Sequence, residues 1–326
     1  MDGRQRVLDL LEGDGVFLPI EEIAHSIGMD ANTSRSLLEE MSADGVRVVE
    51  VPGRGFGIGA VTDILFEQEV RKFLRTRDLG NEIIFRHEVT STNDLAVALA
   101  ENGQPHGTVI LADRQTGGRG RMGRTWISPA GVNLYLSAIF RPELPPAAAT
   151  EVPIMMAVAV ARALERQTPP LKLHIKWPND LLYNGRKLGG ILCEMRTSAN
   201  RIQFLVAGIG INVNTIDFNS EISDQATSMR IATGESYLRP LLAADLLEEI
   251  EAAWDVWTTE ESLDPFMEYW VERSILEGRQ ITVATQAAQV EGIAEGLAPS
   301  GALLLRMPDG SLREIYAGDA HIGPLI

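Results

Sequence analysis

The chain is poor in cysteine, and it contains no long apolar run. Its single cysteine, Cys193, excludes an internal disulfide, and its neighbours Ile191 and Leu192 predict a small buried hydrophobic residue, not a nucleophile. The most apolar run, 152–161, is too short to span a bilayer. No charged-then-apolar signal stretch opens the chain. We therefore expect no membrane partner and a cytoplasmic location.

Basic residues are scarce as well. The 326 residues include 29 Lys and Arg against 45 Asp and Glu, which gives a formal net charge of −16. This excess of acid argues against a protein that coats nucleic acid or an anionic membrane. His87 and His174 have no metal-ligand spacing, so we predict no metal site built by the protein. The sequence also shows no Ser/His/Asp or Cys/His constellation for nucleophilic catalysis.

Three arginines stand out against this acidic background because they alternate with glycines in Gly118-Arg119-Gly120-Arg121-Met122-Gly123-Arg124, shortly before Trp126. Glycine lets the backbone approach a ligand closely, and the arginine fork fits carboxylate and phosphate. Strand patterns at 108–112 and 133–140 flank the segment. The pattern predicts a mobile anion-binding loop at a sheet edge, with Trp126 as a stacking surface. A solvated basic hairpin is the alternative.

The first 62 residues read as a winged helix-turn-helix, with helices at 4–11, 20–27 and 32–41 and a hairpin from 46 onward. The candidate DNA contacts are three residues of the third helix and one in the turn of the hairpin: Asn32, Thr33, Arg35 and Arg54.

The charge of this module fits DNA binding poorly. Residues 1–60 carry five basic and eleven acidic side chains, a formal charge near −6, whereas DNA affinity comes largely from neutralising phosphates. A sequence-specific DNA reader and a protein-contacting wing therefore both remain open. We predict weak or no operator binding by residues 1–60 alone.

Two polar segments mark the part of the chain from 63 to 276. Ser91-Thr92-Asn93-Asp94 is a helix start whose free N–H groups can hold polar ligand atoms, although simple capping explains it too. Lys187 follows an Asn184-Gly185 hairpin turn and precedes Leu188-Gly189-Gly190, where the two glycines leave the backbone uncovered. It reads as a cation beside a ligand, or as the surface partner of Asp180.

The segment Gly208-Ile209-Gly210-Ile211-Asn212 reads as a strand whose glycines admit a ligand and whose Asn212 points at it. It is not a dinucleotide fingerprint, because the third glycine and the following helix are missing. Amphipathic helices at 241–257 and 264–275 close this part of the chain. Short strands at 281–283, 290–297, 302–305 and 313–316 then predict a small β-barrel over 277–326.

The glycine–arginine loop, the segment Lys176-Trp177-Pro178-Asn179-Asp180 with Lys187 downstream, and the closing barrel together resemble the biotin protein ligase family, closest in its bifunctional form with an N-terminal winged helix that serves as a biotin operon repressor. Met122 departs from the commonest family pattern, which has a basic residue there. The resemblance implies an α+β fold with a central mixed sheet like that of class II aminoacyl-tRNA synthetases and a C-terminal SH3-like barrel.

The resemblance also implies site residues. Lys187, Arg119 and Arg121 would be catalytic. Biotin would be bound by Ser91, Thr92, Asn93, Gln115, Gly118, Arg119, Gly120, Arg121, Lys187 and Gly190. ATP and the adenylate would be bound by Arg119, Arg121, Arg124, Trp126, Lys187 and Asn212. The implied substrates are biotin and ATP with Mg²⁺, and the implied partners are a biotin carboxyl carrier protein domain, operator DNA and a second copy of the chain.

Two alternatives to this enzyme remain. A lipoate-type protein ligase performs the same chemistry on a different acid, but the glycine–arginine loop argues for biotin. A non-catalytic biotin-sensing regulator would share the architecture, but intact Lys187 and Arg119 disfavour it.

Overall fold

The structure is a computed structural model that describes residues 3–11, 16–43, 46, 48–51, 53–59, 63–168, 171–198, 200–285 and 287–323. Parts of the predicted segments 1–62 and 277–326 lie outside these ranges, among them two positions of the hairpin predicted from 46 onward, 47 and 52. No helix of the described part is long and apolar enough to cross a membrane.

The N-terminal part consists of three helices and a two-stranded antiparallel hairpin with a small core of their own. The elements are α1 (Gly3–Leu10), α2 (Ile20–Ile27), α3 (Ala31–Ala43), β1 (Val48–Val51) and β2 (Gly55–Ile58). Gly28 ends α2 in the left-handed conformation, at φ 75°, and its N–H bonds back to the helix. The predicted helices are thus present, each with bounds within two residues of the expected ones.

The centre of the molecule is a seven-stranded mixed sheet in the order β3-β4-β5-β9-β8-β7-β6, in which only the β3–β4 pair is parallel. Its strands are β3 (Glu82–Val89), β4 (Thr108–Gln115), β5 (Leu134–Phe140), β6 (His174–Lys176), β7 (Asp180–Tyr183), β8 (Arg186–Ser198) and β9 (Arg201–Ile211).

Helices cover both faces of this sheet. They are α4 (Glu67–Arg71), α5 (Thr92–Glu101), α6 (Val152–Gln167), α7 (Met229–Thr233), α8 (Arg239–Glu260) and α9 (Asp264–Arg273). Alternate strand residues such as Ile110 and Ile139 pack on α5, while their neighbours Val109 and Ala138 belong to the core shared with α6 and α8. Among the described residues from 63 to 80, the short α4 precedes β3.

The C-terminal part is a five-stranded antiparallel sheet in the order β13-β12-β11-β10-β14. Its strands are β10 (Gln280–Ala284), β11 (Gln289–Leu297), β12 (Leu303–Arg306), β13 (Leu312–Ile315) and β14 (Asp319–Ile322). Four of them were expected, and β14 was missed because its four residues show little apolar alternation. Ile281 and Leu303 share one core with Trp270 of α9, so this sheet packs directly on the central part.

Candidate ligand-binding site beside the glycine–arginine loop

The start of α5 meets the end of β4 because β3, which leads into α5, pairs with β4 in parallel. Ser91 caps the helix by accepting the Asp94 N–H at 3.4 Å. The backbone N–H and the hydroxyl of Thr92 lie 2.8 and 3.1 Å from Oε1 of Gln115. Three predicted ligand contacts from two distant segments therefore form one polar cluster, which is the candidate ligand pocket.

The glycine–arginine loop leaves β4 at this pocket and returns to it. Nε2 of Gln115 donates to the Ser128 hydroxyl at 3.0 Å, and the backbone N–H of Trp126 donates to the Gly118 carbonyl at 2.9 Å. A Cβ on Gly118 would lie 2.7 Å from the Ser128 hydroxyl, so this position needs glycine. Met122 takes a positive φ of 55° at the loop tip. The loop is thus pinned at its base and turns sharply at its far end.

Arg119 is held by two carboxylates in this structure. Its guanidinium pairs with Asp94 of α5 and with Glu194 of β8, the latter at 2.9 Å. Burial would lower the pKa of Arg119, but hydrogen bonds and charge from Glu194 and Asp94 raise it above its ordinary value. The side chain is therefore a permanent cation at the mouth of the pocket. Neither carboxylate was singled out from the sequence.

Arg121 lies deeper than Arg119. Its Nη1 donates to Oδ1 of Asn179 at 3.3 Å, and Asn179 is itself fixed by donating to the Ile191 carbonyl at 2.6 Å. Burial is the main cause that lowers the pKa of the Arg121 guanidinium. A partly desolvated cation gains more from an anionic ligand than an exposed one does, because water competes less for it.

Lys187 forms an ion pair and also lies over an aromatic ring. Its Nζ lies 2.7 Å from Oδ1 of Asp180, so the predicted ion pair is present. The same ammonium lies over the ring of Trp126, 5.4 Å from its centroid, and 3.4 Å from where a Cβ on Gly190 would stand. A Cβ on Gly210 would come 2.7 Å from the Trp126 ring. The glycines therefore let the indole and the lysine lie close to the sheet.

Arg124 contacts the C-terminal sheet. It pairs with Asp319 at the start of β14, and Nζ of Lys176 lies 3.7 Å from the same carboxylate. Burial would raise the pKa of Asp319, but Lys176, Arg124 and His321 together lower it below its ordinary value. The sequence assigned Arg124 to the adenylate, and the structure shows it anchoring the loop to the C-terminal part.

Two residues assigned to ligands point elsewhere. Asn93 is 4% exposed, and its amide is engaged with Leu192, Glu194 and Ser137 behind the pocket. Asn212 is 6% exposed, and its Nδ2 donates to the Thr227 carbonyl at 3.0 Å. Sequence patterns cannot show which way a side chain turns, and both amides are held by protein groups in this structure.

The four candidate DNA contacts do not form one free basic surface. Asn32 and Thr33 are exposed, Arg35 pairs with Glu50 at 3.3 Å, and Arg54 is buried against α8. Arg54 Nη2 lies 2.6 Å from Oδ1 of Asp245. Arg54 thus lies in the hairpin turn, as predicted, but its guanidinium faces the carboxylates of α8 and not solvent.

Cys193 is half-buried and packs against the main core, so the predicted burial is present only in part. Burial raises the pKa of its thiol to about 12, so the nucleophilic thiolate is disfavoured at neutral pH. Within the described residues, no group of three or more His, Cys, Asp or Glu could hold a metal ion.

Known proteins match nearly the whole chain. The Biotin/lipoate A/B protein ligase family model matches residues 86–212, and the Biotin protein ligase C terminal domain model matches 278–323. The Bifunctional ligase/repressor BirA of Bacillus subtilis is 32% identical over 323 residues, which cover 98% of each chain. The protein of the same name from Escherichia coli is 30% identical over 313 residues, which cover 96% of this chain and 95% of that one.

A solved structure adds the same relationship in three dimensions. The biotin protein ligase from Aquifex aeolicus, in complex with biotin and ATP, superposes with a TM-score of 0.64 at 30% identity, covering 74% of this chain and 99% of that chain. Because relatives at least 30% identical align with almost its full length, the chain belongs to the biotin protein ligase family.

Proposed function

We propose that the protein joins biotin to a lysine of a biotin carboxyl carrier protein in two steps. The biotin carboxylate attacks the α-phosphate of ATP, which forms biotinyl-5′-AMP and releases pyrophosphate. The carrier lysine then attacks the carbonyl carbon of this mixed anhydride, AMP leaves, and the amine loses a proton as the amide forms. The observation that carries the proposal is the gathering of Lys187, Arg119 and Arg121 around β8, beside the polar pocket of Thr92 and Gln115.

The first step must bring two anions together, and the cations make this possible. A carboxylate and a triphosphate repel each other, whereas Lys187 and the two loop arginines can neutralise both and stabilise the charge that builds on phosphorus. Removing one such preorganised contact typically costs about 3–4 kcal/mol, or a factor on the order of 10²–10³ in rate. No side-chain nucleophile is needed for either step.

In this proposal Mg²⁺ would accompany the nucleotide. In protein sites this ion usually keeps several waters and is bound by one or two carboxylates plus substrate phosphates. The Asp180 carboxylate beside Lys187 could serve as such a ligand. When bound, the ion would neutralise phosphate charge and orient the leaving pyrophosphate.

A direct test of the first step is biotin-dependent exchange of labelled pyrophosphate into ATP. We expect exchange with biotin and much less with lipoate, since the pocket offers polar contacts suited to a cyclic urea. Exchange with lipoate in place of biotin would favour the lipoate-type ligase. Binding of biotin without any exchange would favour a non-catalytic sensor.

We also propose the domain organisation that the sequence suggests. Residues 1–62 would form a winged helix-turn-helix, 63–276 a catalytic domain related to class II aminoacyl-tRNA synthetases, and 277–326 an SH3-like barrel. The bifunctional relatives, which align from end to end, support a second role as a repressor that binds operator DNA as a homodimer. The docked Arg54 weighs against DNA binding by the present arrangement of the wing.

A further inference from the structure

We infer that Asn93 and Ser137 are positioning residues that fix the direction of hydrogen bonding at Thr92, so that the Thr92 hydroxyl faces the ligand as an acceptor. The inference rests on the proposed function, because it concerns how the biotin pocket selects its ligand. It is carried by a chain of buried polar atoms that runs from β8 to the start of α5.

The orientation of the Asn93 amide is determined by its partners. Nδ2 lies 3.0 Å from the Leu192 carbonyl and 2.9 Å from Oε2 of Glu194. A carbonyl and a carboxylate only accept hydrogen bonds, so the NH₂ group must face them. Oδ1 of Asn93 therefore faces the other way and can only accept.

Ser137 lies between the Asn93 amide and the Thr92 hydroxyl and contacts both. Its hydroxyl lies 2.6 Å from Oδ1 of Asn93 and 2.8 Å from the hydroxyl of Thr92, and the side chain is fully buried. A serine hydroxyl has a single proton, and the amide oxygen requires it. Two acceptors then lie within reach of the Thr92 proton, Oγ of Ser137 at 2.8 Å and Oε1 of Gln115 at 3.1 Å. Ser137 takes it, because its oxygen is nearer and Oε1 already accepts the backbone N–H of Thr92. The lone pairs of the Thr92 hydroxyl are then left for another donor.

Gln115 supplies a second acceptor beside the first. Its Oε1 already receives the backbone N–H of Thr92 at 2.8 Å, and its Nε2 is held by Ser128, so the amide cannot flip without losing both. The Thr92 hydroxyl and Gln115 Oε1 thus present two acceptors. A cyclic urea has two N–H donors to match them, whereas a dithiolane ring has none.

The backbone is shaped to admit the chain of polar atoms. Ser137 of β5, Gly208 of β9 and Leu192 of β8 lie in one row across the sheet. A Cβ on Gly208 would overlap the Asn93 amide, so the missing side chain makes the space in which that amide lies. Gly208 is therefore required by the buried amide, not by a ligand.

The test removes the Ser137 hydroxyl. In Ser137→Ala the proton of the Thr92 hydroxyl loses its acceptor and turns toward Oε1 of Gln115. This new bond occupies Oε1, and it turns the lone pairs of the Thr92 hydroxyl away from the ligand. We expect the Kd for biotin, measured by calorimetry, to rise about tenfold, the usual effect of one lost hydrogen bond. The KM for ATP and kcat at saturating biotin should stay within twofold. Thr108→Val is the matched control, because Thr108 carries a buried hydroxyl on the neighbouring β4 that is not part of this chain of polar atoms.

A biotin analogue with both ureido nitrogens methylated separates a changed hydrogen-bond orientation at Thr92 from a general disruption of the site by the substitution. It has no N–H to donate, so wild type and Ser137→Ala should bind it with equal, weak affinity. The inference is overturned if Ser137→Ala binds biotin as wild type does, or if its Kd for biotin, KM for ATP and kcat all deteriorate together. If wild type itself makes no biotinyl-AMP, the proposed function fails instead.

Discussion

We expect retention of the proposed biotinyl-AMP intermediate to depend most on Arg121. It is half-buried, it contacts Asn179 from the loop, and the low dielectric around it strengthens its attraction to phosphate. An adenylate that escapes before transfer reacts with any exposed lysine. The loop arginine must therefore hold the intermediate as well as form it.

We predict that Arg121→Gly releases biotinyl-AMP into solution and biotinylates bystander proteins, whereas wild type retains the adenylate. Free adenylate can be measured after gel filtration, and labelling can be followed on serum albumin. Arg114→Gly serves as control, since Arg114 pairs with Glu88 on the surface at 2.9 Å. Equal retention of the adenylate by Arg121→Gly and wild type would refute the assignment of the loop as a lid.

At the scale of single elements, the contact between the end of β5 and the turn after α5 depends on a neutral histidine. Nδ1 of His106 accepts the Arg141 N–H at 3.2 Å, and burial lowers the pKa of the imidazole below its ordinary value of 6.5. A lowered folded pKa contributes stability above the unfolded pKa, and this contribution is lost as the pH falls from about 6.5 toward the folded value.

We therefore expect the Tm to fall between pH 7.5 and pH 5.5, and to fall less in His106→Asn, whose amide oxygen can accept the same N–H without titrating. Calorimetry at several pH values measures this difference. His25→Asn, at an exposed position of α2, should follow the wild-type curve. If His106→Asn loses as much stability as wild type over this range, His106 is not responsible.

The helices and strands could be predicted from local sequence patterns, whereas the contacts between them could not. Alternation and capping predicted β4, α5 and the hairpin at Asn184-Gly185, both of whose residues have positive φ. The parallel pairing of β3 with β4, which brings Gln115 to Thr92, has no local signal. The carboxylates at Asp94 and Glu194 were missed for the same reason, since they become partners of Arg119 only when α5 packs on the sheet.

For the whole molecule, Asp319 joins the C-terminal sheet to the glycine–arginine loop through Arg124. We predict that Asp319→Asn loosens the loop, raises the KM for ATP and increases leakage of biotinyl-AMP. Asp309→Asn, in a turn of the same sheet where Asp309 accepts hydrogen bonds from Ser311, should leave both quantities unchanged. Identical kinetics of Asp319→Asn and wild type would show that the contact has no role in catalysis.

A second prediction for the whole molecule concerns whether its N-terminal part binds operator DNA. With a formal charge near −6 over residues 1–60, we predict weak or no operator binding by residues 1–60 alone. A gel-shift or footprinting experiment at physiological salt measures this. A tight footprint from the isolated segment would contradict the prediction, whereas binding only by the full chain with biotin and ATP would point to ligand-driven dimerisation.

The central claim is that the polar pocket and the loop cations together convert biotin and ATP into a biotinylated carrier. The most direct measurement mixes the protein with biotin, ATP, Mg²⁺ and an apo carrier domain, and follows the mass of the carrier. We predict the mass gain of one biotin on the carrier lysine, which should be lost when ATP is omitted. An unchanged carrier in the complete mixture, from protein that binds biotin, would contradict the account.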